Sequence, residues 1–367
     1  MTMTHAQRHG FLNVFKPKGM NSHTGVAIAR KLFDTQRIGH AGTLDPMATG
    51  VLVLAIGRAT RFLQYMTSDK AYDGVIRFGV TTDTDDITGK VLTERPVPWL
   101  RESDVANALP RFVGAIDQVP PKVSALKQGG QRLYKLVRSK QEVNVPARRV
   151  IIDSIDLLDF LPGDFPEVSP DIEQAMDGSQ LTSCFLHTQQ AKIHVECGGG
   201  TYIRSIAREC GEVLQHPDSL DSSSIGGTLA ELTRTRSGTF TIADSVTFEE
   251  VREQMQVNAD QSVNGLGIGK PTPLVPIEAA LLHLPSITLS AIGQKRWLGF
   301  SNVIVRPQDM MPPGGAPLDQ VCDPQPGDAL RVYSDDATPV FLGLSIVYWC
   351  PKRSRLELRK RLILDLD

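Results

Sequence analysis

Cysteine is scarce in this sequence, and no two cysteines are spaced like the ligands of a metal site. Structural zinc sites of the common kind draw on closely spaced Cys or His pairs, and no CxxC pair occurs here. An odd, scattered set is also a poor disulfide framework and indicates a reducing compartment. We therefore expect no bound metal. The five cysteines are Cys184, Cys197, Cys210, Cys322 and Cys350.

Long apolar runs are missing as well. No stretch approaches the roughly 20 apolar residues that span a bilayer. The segment Met1–Gly10 is polar and has no apolar core of the kind found in signal peptides. We therefore expect no membrane association and a cytoplasmic location. The 367 residues are 41% hydrophobic, which is enough for a sizeable core, and the length suggests two domains.

Charge of one sign does not dominate the chain. A net charge of −2 argues against a protein that binds nucleic acid over its whole surface. The charges are nevertheless segregated, because Lys122–Arg149 and Lys352–Arg361 are each rich in Lys and Arg and contain a single Glu, while acids gather between Asp153 and Asp177. Any one cluster could be a solvated face, but the combination favours a polyanionic partner.

Hydrophobic periodicity predicts a larger α+β region followed by a smaller β-rich one. Val51–Ile56 is an unbroken apolar run typical of a buried strand, and Ser22 is placed to cap a helix that reaches about Phe33. Apolar residues at helical spacing over Ile203–Leu214 predict a second helix. We predict a first domain over 1–255 with a Pro-rich, acidic insertion at about 161–190, a linker over 256–280 and a second domain over 281–367.

The segment Gly39–Gly50 carries the densest chemical signal. It reads GHAGTLDPMATG, so its glycines and Pro46 constrain a loop that holds His40 and Asp45 and leads directly into the buried strand. A catalytic group must be held to within about half an ångström, and a loop on a rigid strand suits that need. A plain turn in which Asp45 hydrogen bonds the backbone is the alternative. The loop contains no P-loop, GxSxG or HExxH pattern.

Five further segments accompany this loop in a fixed order. They are FKPKGM at 15–20, KAY at 70–72, PPKVSALK followed by G and LY at 120–134, GTYIR at 200–204 and LTRTRSGTF at 232–240. Together with GHAGTLDPMATGVL they resemble the sequence blocks of the TruB-type tRNA pseudouridine synthases of bacteria. The resemblance covers about Phe11–Phe240, and six blocks in the family order make a chance match implausible.

The resemblance implies an α+β fold, in which helices flank the mixed, mainly antiparallel sheet of a pseudouridine synthase and a small β-rich, PUA-like RNA-binding domain follows. It implies an enzyme that isomerises the T-loop uridine, position 55 of tRNA, to pseudouridine. The base is flipped out, its N1–C1′ bond is broken, and C5 is joined to C1′. This isomerisation gains no atoms or electrons, so we expect no cofactor and no metal. The expected partner is tRNA, through its T stem-loop, and we expect a monomer without a protein partner.

The resemblance assigns catalytic roles to three residues. Asp45 falls on the family's catalytic aspartate, and Arg204 falls on the arginine that pairs with it. Tyr72 falls on the tyrosine that packs against the target base, for which removal of the C5 proton is a candidate role. A guanidinium nearby keeps a partly buried carboxylate ionised, so the pairing is physically reasonable. Whether Asp45 adds to C6 of the base, bonds to C1′ or acts as a base at C2′ stays open.

Five other residues are implied to bind the substrate. His40 resembles the residue that props open the T loop, and Tyr202 and Leu232 resemble residues of the base pocket. Lys16 and Lys127 are candidate phosphate contacts, since Lys and Arg hold the phosphates of folded RNA.

The chain departs from the family pattern at three places. The family's Ser-Lys-Gly step is Gly198-Gly199-Gly200 in this chain, so one candidate RNA contact is lost. Val123 stands where the family pattern leads us to expect an aromatic residue, and the acidic insertion is longer than the usual connection. None of these departures involves the three catalytic residues.

Three alternative functions stay open at the level of sequence. The protein could be a tRNA-binding folding chaperone in which catalysis is secondary, or a synthase that depends on a guide RNA. A hydrolase that uses Asp45 as nucleophile is the third, although no second acid or metal motif lies near it in the sequence.

Overall fold

The computed structural model describes residues 9–124, 127–128, 131–132, 145–161, 189–215, 224–263, 273–299, 301, 303–305, 310–311 and 323–364. The α-helices within these ranges are α1 Ser22–Leu32, α2 Glu102–Ala108, α3 Ile203–Val213, α4 Phe248–Val263 and α5 Ala291–Leu298. The strands are β1 Gly10–Lys16, β2 Ile38–His40, β3 Thr49–Ile56, β4 Lys70–Phe78, β5 Val80–Thr82, β6 Val91–Glu94, β7 Gly114–Gln118, β8 Lys127–Gln128, β9 Gln131–Arg132, β10 Arg148–Leu161, β11 Gln190–Cys197, β12 Gly227–Ser237, β13 Phe240–Thr241, β14 Ser286–Leu289, β15 Val303–Ile304, β16 Met310–Met311, β17 Ala329–Ser334, β18 Phe341–Cys350 and β19 Arg355–Ile363.

A nine-stranded mixed sheet forms the larger part of the described structure. Seven strands follow the order β1-β3-β12-β4-β11-β10-β7, while β2 pairs with β3 and β13 pairs with β12. Strand β12 runs parallel to β3 and antiparallel to β4, so the sheet is mixed but mainly antiparallel. Helices pack on its faces, and the predicted α+β class is therefore confirmed.

Strand β3 is buried on both faces of this sheet, as its apolar run predicts. The residues Val51–Ile56 have no exposed surface. The even-numbered ones pack with Ala29 of α1 and Phe248 of α4, and the odd-numbered ones pack with Leu281 and Phe341 from the C-terminal region. Each buried aliphatic side chain contributes about 1.5–3 kcal/mol, so β3 is fixed firmly from both faces.

Helix α1 begins at Ser22, as predicted, but Ser22 is not its capping residue. Asn21 Oδ1 accepts a 2.8 Å hydrogen bond from Thr24 N and caps the helix. Ser22 Oγ instead accepts a 2.8 Å bond from Leu44 N and donates a 3.0 Å bond to Leu44 O. The helix is therefore tied to the residue directly before Asp45.

Helix α3 packs against β12 and β4 through the apolar stripe that the sequence predicts. Its buried residues join the largest hydrophobic cluster, where they meet Ile76 and Leu229. The first turn of this helix brings Arg204 to the face of the sheet that carries Tyr72. The buried residues of the stripe are Ile203, Ile206, Ala207, Cys210 and Leu214.

The C-terminal strands form a six-stranded sheet in the order β15-β19-β18-β17-β14-β16, as expected for a β-rich region. It packs on the first sheet, and the ring centroids of Phe62 and Phe341 lie 6.4 Å apart. Helix α4 continues to Val263, which lies within the segment predicted as the linker. Val275 and Phe11 also exchange two backbone hydrogen bonds of 2.7 and 2.8 Å, which attach the end of that segment to β1. The exact division into domains stays a prediction.

The predicted insertion falls between β10 and β11, which pair with each other as antiparallel neighbours. Its residues 162–188 lie outside the described ranges. Within the described ranges, none of the helices has the length and apolar character required to cross a membrane.

Candidate active site

The loop between β2 and β3 holds Asp45 through contacts from several sides. Pro46 O accepts a 2.8 Å hydrogen bond from Gly19 N, and Ala48 N donates a 3.1 Å bond to Asp45 O. Gly50 has a φ of 98°, and a Cβ at this position would lie 2.3 Å from Arg234 O, so only glycine fits there. The loop is therefore a fixed support for the Asp45 side chain.

The Asp45 carboxylate pairs with Arg204, as the family resemblance leads us to expect. Arg204 Nε lies 2.9 Å from Asp45 Oδ2, and Arg204 Nη2 donates a 3.3 Å hydrogen bond to Asp45 Oδ1. The Arg204 side chain is 5% exposed, whereas the Asp45 side chain is 33% exposed. Charge-assisted contacts to a buried guanidinium fix the orientation of the carboxylate while leaving it accessible from the cleft.

A second carboxylate, Asp86, holds the other side of Arg204. Asp86 Oδ2 lies 3.5 Å from Arg204 Nη1, and the Asp86 side chain is 7% exposed. Asp86 Oδ1 accepts hydrogen bonds of 2.9 Å from both Thr84 Oγ1 and Thr88 N. Arg204 Nη1 also donates to the backbone oxygens of Thr84, at 2.9 Å, and Val123, at 3.1 Å. Arg204 is thus placed by two carboxylates and two carbonyl groups.

Tyr72 lies on β4 directly opposite Arg234 of the neighbouring strand β12. Burial raises the pKa of Tyr72 above its usual value, and the Arg234 charge offsets only part of this effect. Arg234 is 1% exposed and donates to the carbonyl oxygens of Val51 at 2.7 Å, Thr43 at 3.4 Å and Gly42 at 3.4 Å. Arg234 therefore joins the tyrosine strand to the Asp45 loop.

Asp45, Tyr72 and Arg204 line one cleft of about 660 Å³. Its volume is within the range of cavities that take a small molecule or a single nucleotide. The structure thus brings together residues that stand far apart in the sequence. Three of the predicted substrate-binding residues, His40, Tyr202 and Leu232, line the same cleft.

The positions of His40 and Tyr202 in the cleft are fixed by their neighbours. The His40 ring lies 5.8 Å from the His23 ring in an edge-to-face arrangement. Burial lowers the pKa of His40, and the charges of His23 and Arg234 add to this effect. Tyr202 N donates a 2.8 Å bond to Gln118 Oε1, and Gln118 Nε2 donates a 3.1 Å bond to Tyr202 O. Burial raises the pKa of Tyr202.

The structure does not support the predicted phosphate contact of Lys16. Its side chain is fully buried, and its Nζ donates to the backbone oxygens of Met20 at 2.6 Å, Pro17 at 2.9 Å and Pro46 at 3.4 Å. Three carbonyl groups therefore accept hydrogen bonds from the ammonium, and the ammonium is not accessible to RNA. Lys16 instead joins its own turn to the Asp45 loop.

Lys127, the other candidate phosphate contact, lies in the short strand β8. Only its backbone belongs to the described structure, so its contact with RNA stays a prediction.

The three glycines that replace the family's Ser-Lys-Gly step lie on the wall of the cleft. A Cβ on Gly199 would stand 2.8 Å from Ser68 Cβ. Ser68 would therefore have to move before any side chain could occupy position 199, and the missing lysine is explained by this close approach.

Three residues of the site were not expected from the sequence, namely Ser22, Asp86 and Arg234. Asp86 lies in the run TTDTDDIT at 81–88, whose Thr and Asp residues favour side chain to backbone hydrogen bonds and could have indicated a structured turn. Arg234 lies in the segment LTRTRSGTF, where only Leu232 received a role. No pattern around Ser22 distinguishes it from an ordinary helix cap.

Comparison with known proteins identifies the family. Residues 30–203 match the family described as TruB family pseudouridylate synthase, N terminal domain. A tRNA pseudouridine synthase B of a Nostoc species is 43% identical over 288 residues, which are 78% of this chain and 83% of that relative. The chain belongs to the TruB family. The tRNA pseudouridine synthase B of Microcystis aeruginosa is 45% identical to this TruB chain over 303 residues, covering 81% of this chain and 87% of the relative.

Solved structures share the fold of this TruB chain. A chain of the archaeal box H/ACA sRNP Nop10-Cbf5 complex aligns with a TM-score of 0.61 at 20% identity, covering 97% of this chain and 86% of that one. A chain of an H/ACA RNP bound to a substrate RNA containing 2′-deoxyuridine aligns with a TM-score of 0.60 at 18% identity, covering 97% and 85%. At this identity the likeness shows the fold alone.

The described residues contain no group of three or more His, Cys, Asp or Glu side chains arranged to hold a metal ion. The functional groups of the cleft include a carboxylate held by a guanidinium, a buried tyrosine and an imidazole. This set can supply a nucleophile or base together with an aromatic surface for a nucleobase.

Proposed function

We propose that this protein is a tRNA pseudouridine synthase that converts the T-loop uridine at position 55 of tRNA to pseudouridine. The observation that carries the proposal is the Asp45 carboxylate, held by the buried Arg204 at the wall of a cleft that Tyr72 also lines. The relatives of this chain that are named tRNA pseudouridine synthase B support tRNA as the substrate.

Access to the target base requires that it leave the folded T loop. Base flipping costs a few kcal/mol for unstacking and unpairing. Stacking on aromatic side chains returns about 1–3 kcal/mol per base in single-strand binders, and Tyr72 and Tyr202 are placed to provide it. His40 stands at the same cleft, where its imidazole fills the space that the base leaves in the T loop.

The chemistry begins at Asp45, which attacks or deprotonates the ribose–base unit. Arg204 orients the reactive oxygen, because its Nε and Nη2 contact the two carboxylate oxygens separately. Tyr72 packs against the base with a protonated hydroxyl, since burial raises its pKa. The base turns within the cleft before C5 meets C1′.

We further propose that the enzyme acts as a cytoplasmic monomer on tRNA alone, without metal or cofactor. We also assign the region 281–367 to a PUA-like domain that binds RNA. Two arginines near its end support this assignment, because Arg353 and Arg355 both contact the buried Glu357 Oε1, at 3.1 and 2.9 Å, and remain 57% and 38% exposed. A buried carboxylate thus orients two guanidinium groups at the surface, where phosphates can be bound.

Purified protein and an unmodified tRNA transcript, without cofactor or guide RNA, test the proposed function. Pseudouridine mapped at single-nucleotide resolution is expected at position 55 alone. The variant Asp45→Asn is expected to bind the transcript as tightly as the wild type and to form no product.

Other results of this experiment would favour other functions. Tight tRNA binding without product would indicate that the protein is an RNA folding chaperone. Product that appears only when a further RNA is added would indicate dependence on a guide. Either result would overturn the proposed function.

A further inference from the structure

Lys70 is a cation in the cleft for which the part of the chain that the structure describes provides no hydrogen-bond or ion-pair partner. It opens strand β4 two residues before Tyr72, so both side chains lie on the same face of the sheet, and both line the cleft. The hydrogen bonds and ion pairs found among the described residues include none from the Lys70 ammonium. The side chain is nevertheless only partly exposed.

The buried ammonium of Lys16, by contrast, is hydrogen bonded to the protein itself. The Lys16 Nζ donates to three carbonyl oxygens, which replace the water that it lost. An ammonium removed from water without such compensation is costly, so an unpartnered one in a cleft points to a ligand.

The surroundings of Lys70 are cationic. A Cβ built on Gly42 would lie 3.6 Å from Arg234 Nη1 and 3.7 Å from Lys70 Cε, so both side chains come close to Gly42 of the Asp45 loop. Arg234 cannot turn away, because carbonyl oxygens hold its guanidinium. Burial, together with the Arg234 charge, lowers the pKa of Lys70 to about 8. The Arg236 charge acts in the same direction, while Asp69 and Cys197 oppose it.

We propose that Lys70 binds an anionic oxygen of the target nucleotide in the cleft, as a further substrate-binding residue of the reaction. This inference rests on the proposed function. A flipped nucleotide brings two oxygens of this kind, the non-bridging oxygens of its phosphate and the carbonyl oxygens of uracil. The uracil oxygens become negative when the N1–C1′ bond breaks.

The uracil case follows from the electron balance of the isomerisation. The electron pair of the N1–C1′ bond stays with the base, which spreads the charge over N1 and the ring oxygens. The C5–C1′ bond then forms, C5 gives up a proton and N1 takes one, so no oxidant or reductant is required. A fixed cation at a ring oxygen stabilises the charge where it develops. A cation at the phosphate would instead strengthen the binding of tRNA, before any bond breaks.

The test compares Lys70→Met and Lys70→Arg with the wild type. The dissociation constant for an unmodified tRNA transcript and the single-turnover rate at saturating enzyme are measured separately, from pH 6.5 to 9. Loss of a hydrogen bond to a charged group corresponds to roughly 10- to 100-fold, and we expect this loss for Lys70→Met in one of the two quantities. A lower rate with unchanged affinity identifies a uracil oxygen. Weaker binding, with a salt dependence reduced by about one ion, identifies a phosphate.

The pH dependence provides a second readout. Because Lys70 must be charged to bind an anion, and its pKa is lowered to about 8, the affected quantity should decline in the wild type as the pH rises above 8. Lys70→Arg keeps its charge and should remove this decline. The matched control is Lys192→Met, the same substitution at an exposed position of the neighbouring strand β11, which should leave both quantities unchanged.

Two results would overturn the inference. In the first, Lys70→Met leaves both affinity and rate within about twofold of the wild type at every pH. In the second, Lys70→Met loses activity together with thermal stability and Lys70→Arg restores neither, which would indicate a structural role. A wild type that binds tRNA but forms no pseudouridine would refute the proposed function, and the affinity measurement would still decide whether Lys70 binds a phosphate.

Discussion

Arg204 Nε lies 2.9 Å from Asp45 Oδ2, and the same guanidinium reaches Asp86 on its other side at 3.5 Å. The two carboxylates differ in exposure, since the Asp45 side chain is 33% exposed and the Asp86 side chain 7%. Asp86 and its threonines hold the arginine, and the arginine holds the aspartate that faces the cleft. The orientation of the Asp45 carboxylate therefore depends on Asp86, which acts through Arg204.

Arg204→Lys should reduce catalysis much more than binding. A single ammonium cannot contact both oxygens of Asp45 and also Asp86, so we expect a fall of about 100-fold in the single-turnover rate. The dissociation constant for tRNA should change little. Arg149→Lys is the matched control, because Arg149 and Asp117 form an exposed pair at 3.4 Å. A rate within threefold of the wild type for Arg204→Lys would show that the orientation of Asp45 does not depend on the guanidinium.

Asp86→Asn removes the buried charge while keeping a side chain of the same shape. The amide oxygen can still accept from Thr84 and Thr88, but Arg204 loses one of its two carboxylates. We expect the free energy of unfolding to fall by about 1–3 kcal/mol, because the buried guanidinium then loses one of its two anionic partners. The rate should fall as well. Chemical unfolding and single-turnover kinetics check both effects, and an unchanged rate in a stably folded variant would separate Asp86 from catalysis.

Lys16→Met should destabilise the fold without weakening the binding of tRNA. Three backbone oxygens lose their donor, and unsatisfied buried polar groups cost about 1–3 kcal/mol each. The affinity for tRNA and its dependence on salt should match those of the wild type, because no phosphate contact is lost. Thermal unfolding and a salt series of binding curves test this. If the salt dependence of the affinity falls by about one ion, Lys16 does contact a phosphate, as the sequence suggests.

The pairing of Asp45 with Arg204 could be predicted from the sequence, but only through the family blocks. Asp45 and Arg204 stand 159 positions apart, and no spacing rule brings them together. The strand Val51–Ile56 and the helix after Tyr202 are local signals, and both were predicted correctly. The strand supports the loop that carries Asp45, and the helix carries Arg204 in its first turn. The order of the strands in the sheet then brings the two residues together.

Residues that act through burial could not be predicted in the same way. A lysine after a short strand is usually exposed, and Lys16 is buried only because its own turn meets the turn at Pro46. Ser22 has the sequence position of a helix cap, yet its hydroxyl bonds Leu44 because Asn21 has taken that role. In each case a tertiary contact with the Asp45 loop outweighs the local preference.

Tyr72→Phe tests whether the tyrosine acts as a neutral group. Burial raises the pKa of Tyr72, so its hydroxyl is protonated in the folded enzyme throughout the range from pH 7 to 9. Removal of the hydroxyl should slow the single-turnover rate at least tenfold, because proton transfer by a positioned group typically contributes 10²–10⁴-fold. The ring remains, so the affinity for tRNA should be preserved. The ratio of the wild-type rate to the variant rate should be the same at pH 7, 8 and 9.

The pH series decides between the neutral and the ionised form of Tyr72. If the phenolate were the active form, the wild-type rate would rise about tenfold per pH unit below the pKa, and the ratio to the Tyr72→Phe rate would rise with it. Tyr348→Phe, an exposed tyrosine on β18, serves as the control and should follow the wild type at each pH. A constant ratio would mean that Tyr72 acts through its neutral hydroxyl, because burial raises its pKa and the Arg234 charge is not enough to ionise it.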